Sequence, residues 1–239
     1  MQIWDDPKAL ARIRKWLYLV IVSCLLIVAV HYLLDDRFFS VQRVVIKGKL
    51  EKISDDQLQY VVQDRIKGNV FKLDLNYVQQ GFEQLSWADQ VRVTRQWPDQ
   101  IVVTITERKA LARWVGGGVI DMNGDWFEAS TDESLPLFIA PEGSEKQIAQ
   151  MYIQMLPVLK QMGEPLPKEL SLTARNAWQI TLKGDAVLKL GRTEPMIRLK
   201  RIVPVWKKYL KAQENDIEYI DLRYPDGFAL KLRDIVATD

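Results

Sequence analysis

Residues 91–106 read VRVTRQWPDQIVVTIT. Apolar and polar residues alternate from Val91 to Trp97, Pro98-Asp99 supplies a turn, and Ile101, Val103 and Ile105 share one face of a second alternating run. Period-two alternation on both sides of such a turn predicts two antiparallel strands, each burying one face. Upstream, Ser54-Asp55-Asp56-Gln57 has the S-x-x-Q form of a capping box, whose side chains satisfy the first free N–H groups of a helix. Leu58, Val61, Val62 and Ile66 follow along one helical face, and Gly68-Asn69 ends the run. Asp74 or Asn76 caps a second helix carrying Tyr77, Val78, Phe82 and Leu85 at three-to-four spacing. Val41–Ile46 reads as a strand ahead of the Lys47-Gly48-Lys49 turn. The expected order is β-α-α-β-β.

Further upstream, residues 16–34 (WLYLVIVSCLLIVAVHYLL) carry no charge. As a helix this run extends about 28 Å, close to the thickness of a bilayer core, and it satisfies its own backbone hydrogen bonds. Trp16, Tyr18 and Tyr32 stand near its ends, where amphipathic rings suit the interface. Lys8, Arg12, Arg14 and Lys15 precede it, and Asp35, Asp36 and Arg37 follow. The positive-inside rule then puts residues 1–15 in the cytoplasm as a short tail and exports the remainder. The run is longer than a signal-peptide core, and HYLLDDRFFS offers no small-x-small cleavage site, so an uncleaved anchor is expected. His31 and Cys24 read as interfacial and packing residues.

The 239-residue chain is 48% hydrophobic and 27% charged, a globular composition. Its net charge of +2 belongs wholly to the cytoplasmic tail, because basic and acidic residues balance beyond it. A neutral exported part lacks the basic footprint of a nucleic-acid binder. One Cys and one His exclude an intramolecular disulfide framework and a His- or Cys-rich metal centre. No cofactor is expected.

Downstream, Leu111–Val115 and Val119–Asp121 read as strands around Gly116-Gly117-Gly118, and Asn123-Gly124 is a hairpin turn before Trp126-Phe127. Ser144-Glu145-Lys146-Gln147 has capping-box form and opens a helix running through Met162, ended by Gly163 and Pro165. Strands are expected at Glu169–Thr173, Trp178–Leu182 and Ala186–Leu190. Thr193 caps a helix from Glu194 to about Lys211, kinked or split by Pro204. A final hairpin pairs Ile217–Arg223 with Phe228–Arg233 through Tyr224-Pro225-Asp226-Gly227. The fold class is therefore α+β, with a second, mainly antiparallel β domain holding two helices.

Candidate chemistry is sparse. The glycine triplet lacks the G-K-[ST] of a phosphate loop, and G-x-S-x-G, H-E-x-x-H and C-x-x-C are absent. Asp121, Asp125 and Glu128 lie close together, but turn and edge polarity explains them. The six cations Arg198, Lys200, Arg201, Lys207, Lys208 and Lys211 read first as a solvated helix face and second as a partner-facing or lipid-facing basic patch. The last strand is more suggestive. Phe228, Leu230 and Leu232 point one way, and Ala229, Lys231 and Arg233 the other. At a sheet edge its unpaired backbone groups would template a partner strand, while Lys231 and Arg233 fit ordinary edge protection equally well.

Taken in order, the short basic tail, the single span, FFSVQRVVIKG, SWADQVRVTRQWPDQIVVTITERKALARW, GGVIDMNGDWF, LKLGR and IDLRYPDGFALKL resemble the FtsQ/DivIB family of bacterial cell-division proteins. The resemblance covers nearly the whole chain. Its most specific piece is V-R-V-x-R-x-W-P-D-x-(I/V)-x-V-x-I-x-E-R. One departure is Ala110, where the family usually places a proline shortly after the Glu107-Arg108 pair. The resemblance implies a polypeptide-transport-associated (POTRA) domain over 38–108 and a β domain over 109–235. It also implies a non-catalytic, single-pass inner-membrane scaffold, largely periplasmic and placed at the division septum. Such a scaffold links earlier and later divisome proteins, is recruited to the division site and contacts other divisome proteins through its POTRA domain, and binds the FtsB and FtsL partners through the edge of its terminal sheet. Carried over by motif, the partner-binding residues are Arg192, Arg223, Tyr224, Asp226, Lys231 and Leu232.

Two other functions compete on the residues. A POTRA component of a protein-transport or outer-membrane assembly system would usually accompany an outer-membrane barrel, and no succession of lipid-facing strands follows here. A membrane-anchored hydrolase needs a nucleophile or base constellation, and none is present in the sequence. Filamentous cells on depletion would mark the division role, and an outer-membrane assembly defect the transport role.

Overall fold

Pro7 begins the first helix, a position where its missing N–H costs nothing. This computed structural model describes residues 7–34, 40–163 and 167–233. Helix α1 runs Pro7–Leu34, so the basic segment ahead of the span is itself helical from Pro7 onward. Within α1, the 20 residues Ile13–Tyr32 are long and apolar enough to cross a membrane. The acidic flank at Asp35-Asp36 and the stop at Pro165 lie outside the described residues.

The chain divides into two compact units, Met1–Glu107 and Arg108–Asp239. Beyond α1, the first unit is built from β1 (Arg43–Lys47), α2 (Asp55–Arg65), α3 (Leu75–Glu83), β2 (Ala88–Gln96) and β3 (Gln100–Glu107). Among the described residues these strands form one sheet ordered β1-β3-β2, with β1 parallel and β2 antiparallel to β3. Val91 faces Ile105 and Val93 faces Val103, so the alternating residues of the hairpin fill one buried layer. Leu58 and Val61 of α2 and Val78 and Phe82 of α3 close that layer. The Ser54–Gln57 capping box is fully formed, and Asp74, not Asn76, caps α3. Gly48 is required at its turn: its φ is +147°, and a Cβ there would lie 2.2 Å from the Ile105 carbonyl oxygen.

Glu107 fastens the loop that leads into α2. Its carboxylate accepts the N–H groups of Glu51 (2.9 Å), Lys52 (2.9 Å) and Ile53 (2.8 Å). Charge-assisted bonds to three backbone donors are worth keeping. Glu107→Ala is expected to cost the first unit about 2 kcal/mol in chemical denaturation, with Glu107→Gln recovering part of it.

The second unit is a mixed sheet. Its strands are β4 (Ala110–Trp114), β5 (Val119–Asp121), β6 (Trp126–Phe127), β7 (Leu137–Ile139), β8 (Glu169–Leu172), β9 (Trp178–Thr181), β10 (Val187–Gly191), β11 (Ile217–Asp221) and β12 (Ala229–Leu232). Among the described residues the order is β12-β11-β10-β9-β8-β7-β4-β5-β6. β7, absent from the sequence reading, is the seam of the sheet: it runs parallel to both β4 and β8. α4 (Glu145–Met162) and α5 (Pro195–Val205) pack on the sheet through Ile148, Tyr152, Met155, Leu159, Leu199 and Ile202. Burial pushes the Tyr152 hydroxyl up to about 12, so it stays neutral where its ring meets Phe138 edge-on.

Two expected caps are replaced. Ser144 makes no side-chain cap bond; its hydroxyl turns back to the Pro141 carbonyl, and the Glu145 carboxylate takes the Gly143 N–H instead. Thr193 does not cap α5 either. Glu194 sits there in the left-handed region, and Pro195 starts the helix. Pro204 does not split the helix at its own position. The α-helix continues to Val205, then loosens into a π turn over Trp206–Leu210 and a 3-10 segment over Lys211–Asp216. That adjustment leaves Trp206 fully buried.

Candidate functional site: an open sheet edge and its loop

β10 and β11 run parallel, which demands a crossover, and α5 supplies it. β11 then turns back into β12 in antiparallel register, Ile220 facing Leu230 and Asp221 facing Ala229. β12 ends the sheet. Among the described residues no strand pairs with its outer side.

Facing residues share a side of the sheet, so Leu230 and Leu232 lie on the same side as the buried Ile220 and Ile217. The core layer thus continues outward onto the edge strand, where it is no longer covered. Phe228 is 38% exposed, Leu230 41% and Leu232 50%. Beside them a pocket of about 180 Å³ opens between α5 and the loop, lined by Arg201, Ile202, Val205, Leu222, Asp226 and Phe228.

The loop is organised by two arginines. Arg223 folds back on Asp221: its Nε lies 2.9 and 3.0 Å from the two carboxylate oxygens, and its Nη2 lies 2.5 Å from Oδ2. The Arg223 N–H also donates to Asp221 Oδ1. Arg201, from α5, reaches the loop from beneath. Its guanidinium donates to the carbonyls of Leu222 (3.1 Å), Tyr224 (2.7 Å) and Gly227 (3.0 Å), and to that of Pro225.

The structure gathers four of the six expected residues at this end. Gly191 closes β10 directly under Arg223, since a Cβ on Gly191 would lie 3.0 Å from Arg223 Cγ, and Arg192 is the next residue. Arg192, Arg223 and Tyr224 are exposed, and Asp226 borders the pocket. Lys231 and Leu232 lie two and three residues into β12, about 7 and 10 Å along the strand from Ala229. Lys231 is bonded to Glu218 across the pair at 2.7 Å and lies near the Tyr219 ring, which Lys189 also covers. Both ends of that ion pair are about half exposed, so it contributes little to stability.

Phe228 and Leu230 join the candidate surface from the strand's own alternation. Arg201 was not legible, because a guanidinium solvated on a helix and one bonded to a loop 24 residues away look alike in sequence. The solvated-face reading of the cation helix is corrected for Arg198 as well, which donates to the Leu190 carbonyl and the Thr193 hydroxyl. Asp121 is a turn residue but a buried one: it accepts the N–H groups of Asn123 and Asp125 and pairs with Arg108.

The Arg223 bonds hold the Asp221 carboxyl below its ordinary range, against the opposing pull of burial. A depressed folded-state pKa stabilises the fold above the unfolded value of about 4, and the benefit disappears as pH falls through the folded value. Wild-type stability is therefore expected to fall more steeply than that of Asp221→Asn below about pH 4, read by chemical denaturation at stepped pH.

An apolar N-terminal helix followed by a POTRA unit and a mainly β unit with an open edge defines a helix-anchored POTRA protein. The FtsQ-type POTRA domain model matches residues 39–108, and the model for the C-terminal part of cell division protein FtsQ/DivIB matches residues 112–223. Curated relatives agree over most of their length. A cell division protein FtsQ from Neisseria gonorrhoeae is 31% identical over 230 residues, covering 96% of this chain and 95% of the relative. The Burkholderia pseudomallei FtsQ is 31% identical over 237 residues, with 96% and 94% covered. The Escherichia coli FtsQ is 32% identical over 212 residues, with 85% and 76% covered. The chain belongs to the FtsQ/DivIB family of cell division proteins.

Proposed function

We propose that this chain is a non-catalytic scaffold of the division machinery, anchored by α1 in the inner membrane at the septum. Residues 1–15 face the cytoplasm, as the cluster Lys8, Arg12, Arg14 and Lys15 supports, and both units lie in the periplasm. The β unit, residues 109–235, takes the FtsB–FtsL pair through β12, with FtsB adding a strand. The POTRA unit, residues 38–108, contacts other divisome proteins. The observation that carries this reading is the open outer edge of β12, with a half-exposed apolar row beside it.

Strand addition supplies main-chain hydrogen bonds that any sequence can make, so specificity must come from side chains beside the edge. Tyr224, 55% exposed on a loop held from below by Arg201, offers a rigid contact at low entropic cost. Arg192 and Arg223 offer charge-assisted bonds to a partner carboxylate. Tyr224→Ala is expected to weaken FtsB binding by about 2 kcal/mol or more while the protein folds and reaches the membrane normally. Co-purification of FtsB and FtsL with the variant is the measurement, and undiminished recovery removes Tyr224 from the site.

A further inference from the structure

The path of the chain fixes which end of the first unit lies beside the anchor. Leu34 closes α1, and Ser40 already forms an antiparallel bridge to Asn69. The intervening steps span about 20 Å even at full extension. Val41 N–H then donates to the Gly68 carbonyl and Gln42 N–H to that of Asp99, and Arg43 enters β1 opposite Gln100. The loop at 66–74 and the β2–β3 turn at 97–99 therefore share the end nearest the anchor, on whichever side of the membrane the unit lies.

That end carries an unusual surface for a water-facing loop cluster. Trp97 is 58% exposed, and its ring centroid is 4.7 Å from that of Phe71. Arg95 fastens the loop beneath them by donating to the Val70 carbonyl at 2.7 Å and to the Leu73 carbonyl. The 66–74 loop also borders an open cleft of about 340 Å³, together with Asp64, Arg65 and Tyr77. Its carboxylates are engaged within the unit: Asp64 pairs with Arg65 at 2.9 Å, and Asp74 accepts the Asn76 and Tyr77 N–H groups. The Arg65 guanidinium lies over the Tyr77 ring. Lys67, Lys72 and Arg43 are exposed around the end, opposed by the exposed Asp64 and Asp74 and the partly exposed Asp99, and the linking sequence adds Asp35, Asp36 and Arg37.

We propose that this end of the POTRA unit rests on the headgroups of the membrane that α1 enters, with Trp97 and Phe71 at the interface and Lys67 and Lys72 on lipid phosphates. An indole beside an aromatic ring suits the headgroup layer, where one edge is apolar and the other wet. Each lysine held near an anionic surface favours contact about fivefold. The tether supplies the proximity, so weak contacts suffice. The seat is distinct from the β12 edge and does not depend on the scaffold reading.

The test uses the full chain in nanodiscs containing phosphatidylglycerol, with Cys24→Ser removing the single native thiol. A nitroxide is placed at Gln96→Cys, beside Trp97, and in a second protein at Asp56→Cys, at the opposite end of α2. The label at 96 is expected to collide severalfold less with a water-soluble nickel chelate, and more with oxygen, than the label at 56. Combining Trp97→Ser with Lys67→Glu and Lys72→Glu brings the two sites level, with thermal melting confirming that the unit stays folded. Equal collision rates at 96 and 56 in the parent chain overturn the proposal. So does protection at 96 that the triple change leaves intact, since a protein neighbour would then be the source.

Discussion

Leu230→Pro is expected to weaken partner-strand capture more than a hundredfold, about 2.7 kcal/mol, while the second unit stays folded. The reason lies in how backbone groups alternate. Arg233 N–H donates inward to the Asp216 carbonyl at 2.8 Å, and Lys231 and Ala229 face Tyr219 and Asp221. In an antiparallel pair, successive residues direct their N–H and C=O groups to opposite sides. Leu230 and Leu232 therefore direct theirs away from β11. Proline at 230 deletes an outward donor and places a ring where an incoming strand must lie, and edge positions of this kind tolerate proline. Leu230→Ala keeps the donor and loses only apolar contact, so it should bind more tightly than the proline variant. Affinities of the two purified chains for FtsB, alongside their melting curves, decide the matter. A proline variant that binds like the parent would show that β12 is not the docking edge.

The second large effect is expected at Arg201, which holds the loop from beneath. Arg201→Met keeps aliphatic bulk at this position of α5 but releases four loop carbonyls at once. Hydrogen bonds to a charged donor are worth more than neutral ones, and those to Leu222 and Gly227 are part-buried, so a loss of about 3 kcal/mol in local stability is expected. Hydrogen exchange at residues 222–228 should rise steeply while β8 and β9 remain protected. FtsB affinity should fall through lost preorganisation, and Arg201→Lys should not rescue it, because an ammonium cannot reproduce the planar fork. Unchanged exchange in the loop would remove Arg201 from this positioning role.

What the sequence made legible is what short-range physics controls. The β2–β3 hairpin, the Ser54–Gln57 box and the final hairpin are each specified within a few residues, and each stands where the alternation and turn residues place it. Elements decided by distant partners were not visible. β7 is three residues, Leu137–Ile139, between Pro136 and Pro141, too brief to show a period. It becomes a strand only because β4 and β8 flank it. Ser144-Glu145-Lys146-Gln147 has the composition of a capping box, yet the Ser144 hydroxyl goes to the Pro141 carbonyl and the Glu145 carboxylate to the Gly143 N–H. The site divides in the same way. Alternation in residues 228–233 revealed two chemically different faces, but the edge status of β12 comes from the order of the whole sheet. The grip of Arg201 on the loop is a tertiary fact with no local signature.

The parallel pairing of β10 with β11 has a consequence for synthesis. An antiparallel meander such as β8–β9–β10 can zip up as it emerges, but β11 waits for α5 to cross over and pack. The edge proposed here as a docking surface is thus the last part of this unit to take shape. A half-made chain, or one whose helix layer has come loose, would lack the landing strip altogether, and recruitment would double as a check that the molecule is finished.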